Sequence, residues 1–120
     1  MSDSLGYEPA GEPNGLGRFF VERANAGDVE GLVALYEPDA ALAFPAGQLA
    51  VGREAIRATY EKLLAGGPQF QPGEQAPALV NGDLALTSTR LVGGGVTAEV
   101  ARRQPDGSWL WAIDQPNVLG

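Results

Sequence analysis

Of the side chains able to do chemistry, this sequence keeps carboxylates, tyrosines and arginines and lacks two of the most reactive kinds: it has no histidine and no cysteine. That removes the commonest general base, the centre of any Ser-His-Asp triad, thiolate nucleophiles and soft metal sites. The one lysine, Lys62, falls on a helix face, where a solvated charge is the plain reading. The glycine run 93–95 is a turn and not a phosphate loop, because no helix opens after it. Neither metal nor cofactor is expected, and any acid–base chemistry must run on carboxylates or tyrosine.

One carboxylate stands out. Asp114 follows a run, 109–113, that is apolar on both faces, and it precedes Gln115 and Pro116. It reads either as a strand-end residue bonding nearby backbone or as an acid set in an apolar pocket. Its possible partner is Glu99, and the turn 105–107 (ProAspGly) decides between two registers. A two-residue type I′ turn puts Gln104 opposite Trp109 and Glu99 opposite Asp114. A three-residue loop with a glycine bulge puts Gln104 opposite Ser108 and Glu99 opposite Ile113, which splits the pair. Two carboxylates in one desolvated site push each other's pKa apart, so one can hold a proton while the other is ionised. Arg90 on the same wall would stabilise negative charge, although an arginine there is as readily a surface charge.

The elements that must position these residues can be read from periodicity. Residues 1–12, with Gly6, Pro9 and Gly11, read as a flexible N-terminal arm, and 13–120 as a single domain. Leu16, Phe19, Phe20 and Ala24 form one helical stripe, closed by the turn at 25–27. Asp28 caps a second helix whose Val29, Leu32, Val33 and Tyr36 continue the stripe to about Glu37, where Pro38 ends it. A short strand over 39–44 follows, with 49–51 as its hairpin partner. Residues 53–64 make a third helix with Ile56, Tyr60, Leu63 and Leu64 inward. Beyond it, Asn81-Gly82 and the turns at 93–95 and 105–107 predict a meander of four antiparallel strands, about 70–80, 83–92, 96–104 and 108–115. Three helices on a strongly curved antiparallel sheet make an α+β cone with an internal cavity. Tyr36 and Tyr60 read first as core, and Trp109 and Trp111 share a face.

The balance of the 120 residues excludes other classes. Fifteen acids against eight bases give a net charge of −7, unsuited to tracking phosphates, so no nucleic acid is expected. No window approaches the roughly 20 apolar residues of a membrane span, and the start has neither the basic nor the apolar stretch of a signal peptide, so a cytoplasmic protein is expected.

The runs 24–40 (AlaAsnAlaGlyAspValGluGlyLeu…), 51–60 (ValGlyArgGluAlaIleArg…) and the closing strand after AspGlySerTrp resemble the nuclear transport factor 2-like superfamily, closest to small bacterial SnoaL-like and ketosteroid isomerase-like proteins. The resemblance covers 16–116 and implies a cystatin-like α+β roll, often a homodimer packed through the sheet, with a small apolar molecule in the cone. For the ketosteroid isomerases it places the general base at Phe44 and the oxyanion tyrosine at Phe20, so neither group is present, while their oxyanion-hole acid falls on Glu99. For SnoaL-like cyclases and limonene epoxide hydrolase-like enzymes it places the acid of the last strand on Asp114. Arg90 could match the arginine of the latter, but their second acid falls on Val92. The expected site is therefore Asp114 and Glu99 as catalytic acids, with Arg90, Tyr60, Phe20, Phe44, Tyr36 and Trp111 around the substrate. The expected activity is a cofactor-independent isomerase, cyclase or dehydratase acting on an apolar, polyketide-like compound. The alternative is a non-catalytic module of the same fold that binds an apolar ligand or dimerises.

Overall fold

The apolar stripes read from the sequence are the faces the molecule buries. The computed structural model describes residues 6–119. Helices α1 (Gly15–Asn25) and α2 (Val29–Val33) are followed by strands β1 (Tyr36–Leu42) and β2 (Ala50–Val51), then by helix α3 (Arg53–Leu64), and six further strands complete the described residues. These are β3 (Glu74–Gln75), β4 (Leu79–Asn81), β5 (Leu84–Thr87), β6 (Thr89–Arg90), β7 (Ala98–Arg103) and β8 (Trp109–Gln115). Leu16, Leu32, Tyr36, Leu42 and Ile56 are fully buried between helices and sheet; each of the four aliphatic ones contributes about 1.5–3 kcal/mol. Asp28 caps α2 as expected, accepting from the Gly31 N–H at 3.0 Å.

The main sheet runs β2-β1-β8-β7-β5-β4, and β3 pairs with β6 in a separate ribbon. The sheet is mixed, which corrects the expectation of a wholly antiparallel one: β1 lies parallel to β8. The second helix is also shorter than its stripe implies. It ends at Val33, and Tyr36 opens β1 instead. Pro38 disfavours helical backbone at Glu37, Trp111 N–H bonds the Leu35 carbonyl, and the Arg53 guanidinium holds the Tyr36 carbonyl, so the chain leaves the helix early to pair. The long strands expected over 70–80 and 83–92 are each broken in two. Pro72 and Pro77 lack the N–H a ladder needs, and the resulting segment runs along α1: Asn25 exchanges two hydrogen bonds with the Phe70 backbone, while Asn14 and Gln75 bond each other's side of the gap.

The arm is tied down over its described part. Ala10 bridges to Trp109, and the buried Arg23 donates to the Glu8 and Gly31 carbonyls at 2.9 Å each with its guanidinium against the rings of Tyr7 and Phe19. These contacts fall within the stretch expected as an arm; residues 1–5 lie outside the described residues.

The register question has a composite answer. At the turn the bulged form holds: the Gln104 N–H donates to the Ser108 carbonyl, and Arg103 faces Trp109. Ala101 accordingly faces Trp111, yet Val100 faces Ile113 and Glu99 faces Asp114. Ala112 is the extra residue, a β-bulge that advances β8 by one position. It reverses the facing of everything after it. Were Ala112 paired regularly with Val100, Ile113 would point inward and Asp114 outward; with Ala112 bulged out of the pairing, Asp114 is 5% exposed and Ile113 53%.

Candidate active site

Two adjacent rows cross the sheet because of that bulge. On the concave face lie Thr87, Glu99, Asp114, Leu42 and Ala50, each paired with the next, and all buried. On the convex face the neighbouring row is Leu79, Leu86, Val100, Ile113, Ala41 and Val51. The first row meets a cavity of about 470 Å³ between the sheet, α1 and the segment 68–77. Phe20, Phe70, Tyr60 and Trp111 supply its aromatic wall; Thr87, Glu99 and Asp114 supply its polar end.

Each acid has its own donor. The Tyr36 hydroxyl donates to Asp114 Oδ2 at 2.5 Å and lies 2.6 Å from the Tyr60 hydroxyl. The Thr87 hydroxyl donates to Glu99 Oε1 at 2.7 Å. Burial, with the neighbouring Glu99 charge second, pushes the Asp114 carboxyl up to about 7, and the Tyr36 hydrogen bond opposes this only in part. Glu99 is raised too, by burial, against the pull of the Thr97 and Thr87 hydroxyls. Burial and the nearby Asp114 charge raise both tyrosines, which stay protonated. The site thus holds two buried carboxyls, both raised and Asp114 to about 7, in a cavity walled by aromatic rings.

The structure gathers five of the eight expected site residues at this cavity: Asp114, Glu99, Tyr60, Phe20 and Trp111. Tyr36 stands behind the wall, fully buried, its hydroxyl bonded to Asp114 and Tyr60 and its ring against Trp111. The other two lie elsewhere. Arg90 lies on the ribbon outside the cavity, its side chain 75% exposed and paired with Glu74 at 3.3 Å, because the break at Ser88 turns β6 away from the main sheet. Phe44 packs against the core at the far end of β1 instead of lining the cavity. Sequence reasoning missed Thr87 as the Glu99 donor. Its signal was available, since Thr87 alternates with buried Ala85 on the strand after Asn81-Gly82. Phe70 was missed as well, because the segment carrying it was read as a strand.

Comparison with known proteins bears on this geometry. Residues 17–114 match the family model described as a SnoaL-like domain. A stretch of 75 residues, 62% of this chain but 27% of the relative, is 36% identical to epoxide hydrolase LasB from Streptomyces lasalocidi; the matched stretch thus spans about a quarter of that protein's length. A nuclear transport factor 2-like protein with a cystatin-like fold from Novosphingobium aromaticivorans is 28% identical, with a TM-score of 0.64 over 89% of this chain and 80% of that one. A ketosteroid isomerase-like protein from Erwinia carotovora atroseptica, 19% identical, superposes with a TM-score of 0.66 over 84% of this chain and 88% of that one, a likeness of fold.

Proposed function

The chain belongs to the SnoaL-like domain family, and on that footing we propose that it is an acid–base catalyst for a small, neutral, largely apolar molecule bearing an oxygen function, with Asp114 as the proton carrier. One observation carries the reading: two buried carboxyls, Glu99 and Asp114, face each other across β7 and β8 at the polar end of an aromatic cavity. With one proton between them, the ionised member removes a proton from carbon beside a carbonyl or from an attacking hydroxyl. The protonated member gives one to the oxygen that gains charge. This serves isomerisation, dehydration, ring closure or epoxide opening without a cofactor, and the likeness to a protein named an epoxide hydrolase supports the last of these for comparison. The cation among the lining residues, Arg18, is 61% exposed and paired with Glu12 at 3.3 Å, which favours a neutral substrate over a carboxylate.

Carboxyl ¹³C NMR tests it. Asp114 is expected to titrate near 7 and to fall toward the ordinary Asp value when Glu99→Gln removes the facing charge; a wild-type midpoint of about 3.9 sinks the reading. Turnover of small epoxides and cyclic ketones is expected in the wild type and lost in Asp114→Asn, with binding of the neutral dye Nile red retained. Dye binding without turnover of any of them in the wild type points to a ligand-binding module instead.

The convex apolar row is the proposed seat of a second copy of the chain. Leu79, Leu86, Ile113 and Val51 are all more than 45% exposed there, a contiguous apolar surface of the kind that marks interfaces.

A further inference from the structure

Asp114 has two carboxyl oxygens with different surroundings. Oδ2 faces the Tyr36 hydroxyl, which also lies within 2.6 Å of the Tyr60 hydroxyl. Tyr36 is fully buried, whereas Tyr60 and Asp114 both line the cavity. Three oxygens in a row therefore leave the cavity at one point of its wall and return to it at another. Of the two hydroxyls in this row each carries one proton, so the direction in which the row points is set at its carboxyl end.

When Asp114 is ionised it can only accept. Tyr36 must donate to it, Tyr60 must donate to Tyr36, and the Tyr60 oxygen turns an acceptor toward the cavity. When Oδ2 carries a proton, the row reverses: Asp114 donates to Tyr36, Tyr36 to Tyr60, and the Tyr60 proton is free for a ligand. The geometry admits either sense, since each hydroxyl can donate across the 2.6 Å contact.

We propose that Tyr60 is a catalytic residue that exchanges protons with a substrate oxygen on behalf of Asp114, with Tyr36 as the relay between them. In the forward step a substrate hydroxyl gives its proton to the Tyr60 oxygen, Tyr60 gives its own to Tyr36, and Tyr36 gives its own to Asp114 Oδ2. One O–H bond breaks at the substrate and one forms at the carboxyl. The reverse step returns the proton to a substrate oxygen that has gained charge. Asp114 thereby serves two places on the wall: directly, through Oδ1, and at Tyr60, through Oδ2. Glu99 is the other titratable group whose charge reaches Tyr60, and it carries no hydroxyl link to it. The proposal rests on the acid–base reading above and adds to it the position where the second proton acts.

Tyrosine ¹³Cζ and carboxyl ¹³C signals, followed together from about pH 5 to about pH 9 in the full chain, test it without a substrate. In the wild type the Tyr60 signal is expected to move with the Asp114 midpoint. In Tyr36→Phe, which keeps the ring and removes the link, Asp114 is expected to go on titrating while the Tyr60 shift is lost. Should that variant fail to fold, Tyr60→Phe takes its place, and the Tyr36 signal is then expected to keep tracking Asp114. A wild-type Tyr60 signal that stays fixed while Asp114 titrates overturns the relay and leaves the acid–base reading standing, as does Tyr60 tracking unchanged in Tyr36→Phe, or a Tyr36 signal that no longer follows Asp114 in Tyr60→Phe. An Asp114 signal fixed across the whole range overturns both.

Discussion

Asp114 is held in place at some expense to the fold. A carboxyl with a raised folded pKa binds a proton that the unfolded chain has already released, so stability falls as pH rises between the two values. For Asp114 that window runs from about 4, the ordinary Asp value, to about 7; above it the destabilisation is complete and constant. Asp114→Asn, which can still accept from Tyr36, is therefore expected to raise the Tm at pH values above the window and to flatten most of the slope within it. Glu99, raised in the same direction, leaves a smaller slope behind. Thermal unfolding across that range checks this, and an Asn variant with the wild-type slope would show that Asp114 is not the desolvated group.

At the scale of elements, β8 brings Asp114 opposite Glu99 because Ala112 is left out of the pairing with β7. Deleting Ala112 takes out the extra residue, so the turn register is expected to run straight through to Val100–Ile113 and Glu99–Asp114, with Asp114 still facing inward. The measurable outcome is an Asp114 midpoint that stays near 7 in the shortened strand; a midpoint back near the exposed value would mean that pairing with Glu99 does not fix which way the side chain points. The clasp around Arg23 makes a separate case. Arg23 joins α1, the Gly31 turn of α2 and the arm, and a Cβ at Gly31 would come within 2.5 Å of Asp28 Oδ2 and 2.9 Å of Arg23 Cδ, so the packing leaves no slack. Arg23→Ala is expected to destabilise by roughly 2–4 kcal/mol in chemical denaturation, and a loss below about 1 kcal/mol would demote it to surface packing. The helices were legible because their stripes and caps are local: Asp28, and the apolar positions of α1 and α3, need no partner to be recognised. Tyr36 was not, since it fits the i, i+3, i+4 stripe of α2 perfectly well and only its pairing with Trp111 pulls it into a strand. The place of Arg90 was not legible for a similar reason, as nothing near Thr87–Arg90 marks the break that sends it outward.

For the whole molecule, the acid row and the convex apolar row are neighbours residue by residue: Glu99 beside Val100, Asp114 beside Ile113, Leu42 beside Ala41. A two-fold partner on the convex face would cover the exposed side of the strands whose inner side carries the site. Ile113→Asp is expected to give a monomer by analytical ultracentrifugation where the wild type is a dimer, with the fold retained; a wild-type chain that sediments as a monomer at high concentration would remove the second copy. The overall α+β cone could be foreseen from the turn chemistry and from the resemblance carried by 24–40 and 51–60, whereas the parallel pairing of β1 with β8 joins residues some 75 positions apart, such as Tyr36 and Trp111, and no local pattern records it.

The bulge at Ala112 also matters for reading related chains. Matching two such strands from the turn outward, without a gap, would set Asp114 of this chain against whatever lies one place off in a relative whose strand is unbulged. A relative would then be scored as lacking an acid that it has, or credited with one that faces the solvent. In this fold the place of the acid is written in strand length as much as in residue identity, and a one-residue gap in an alignment here is a statement about which side of the wall a side chain occupies.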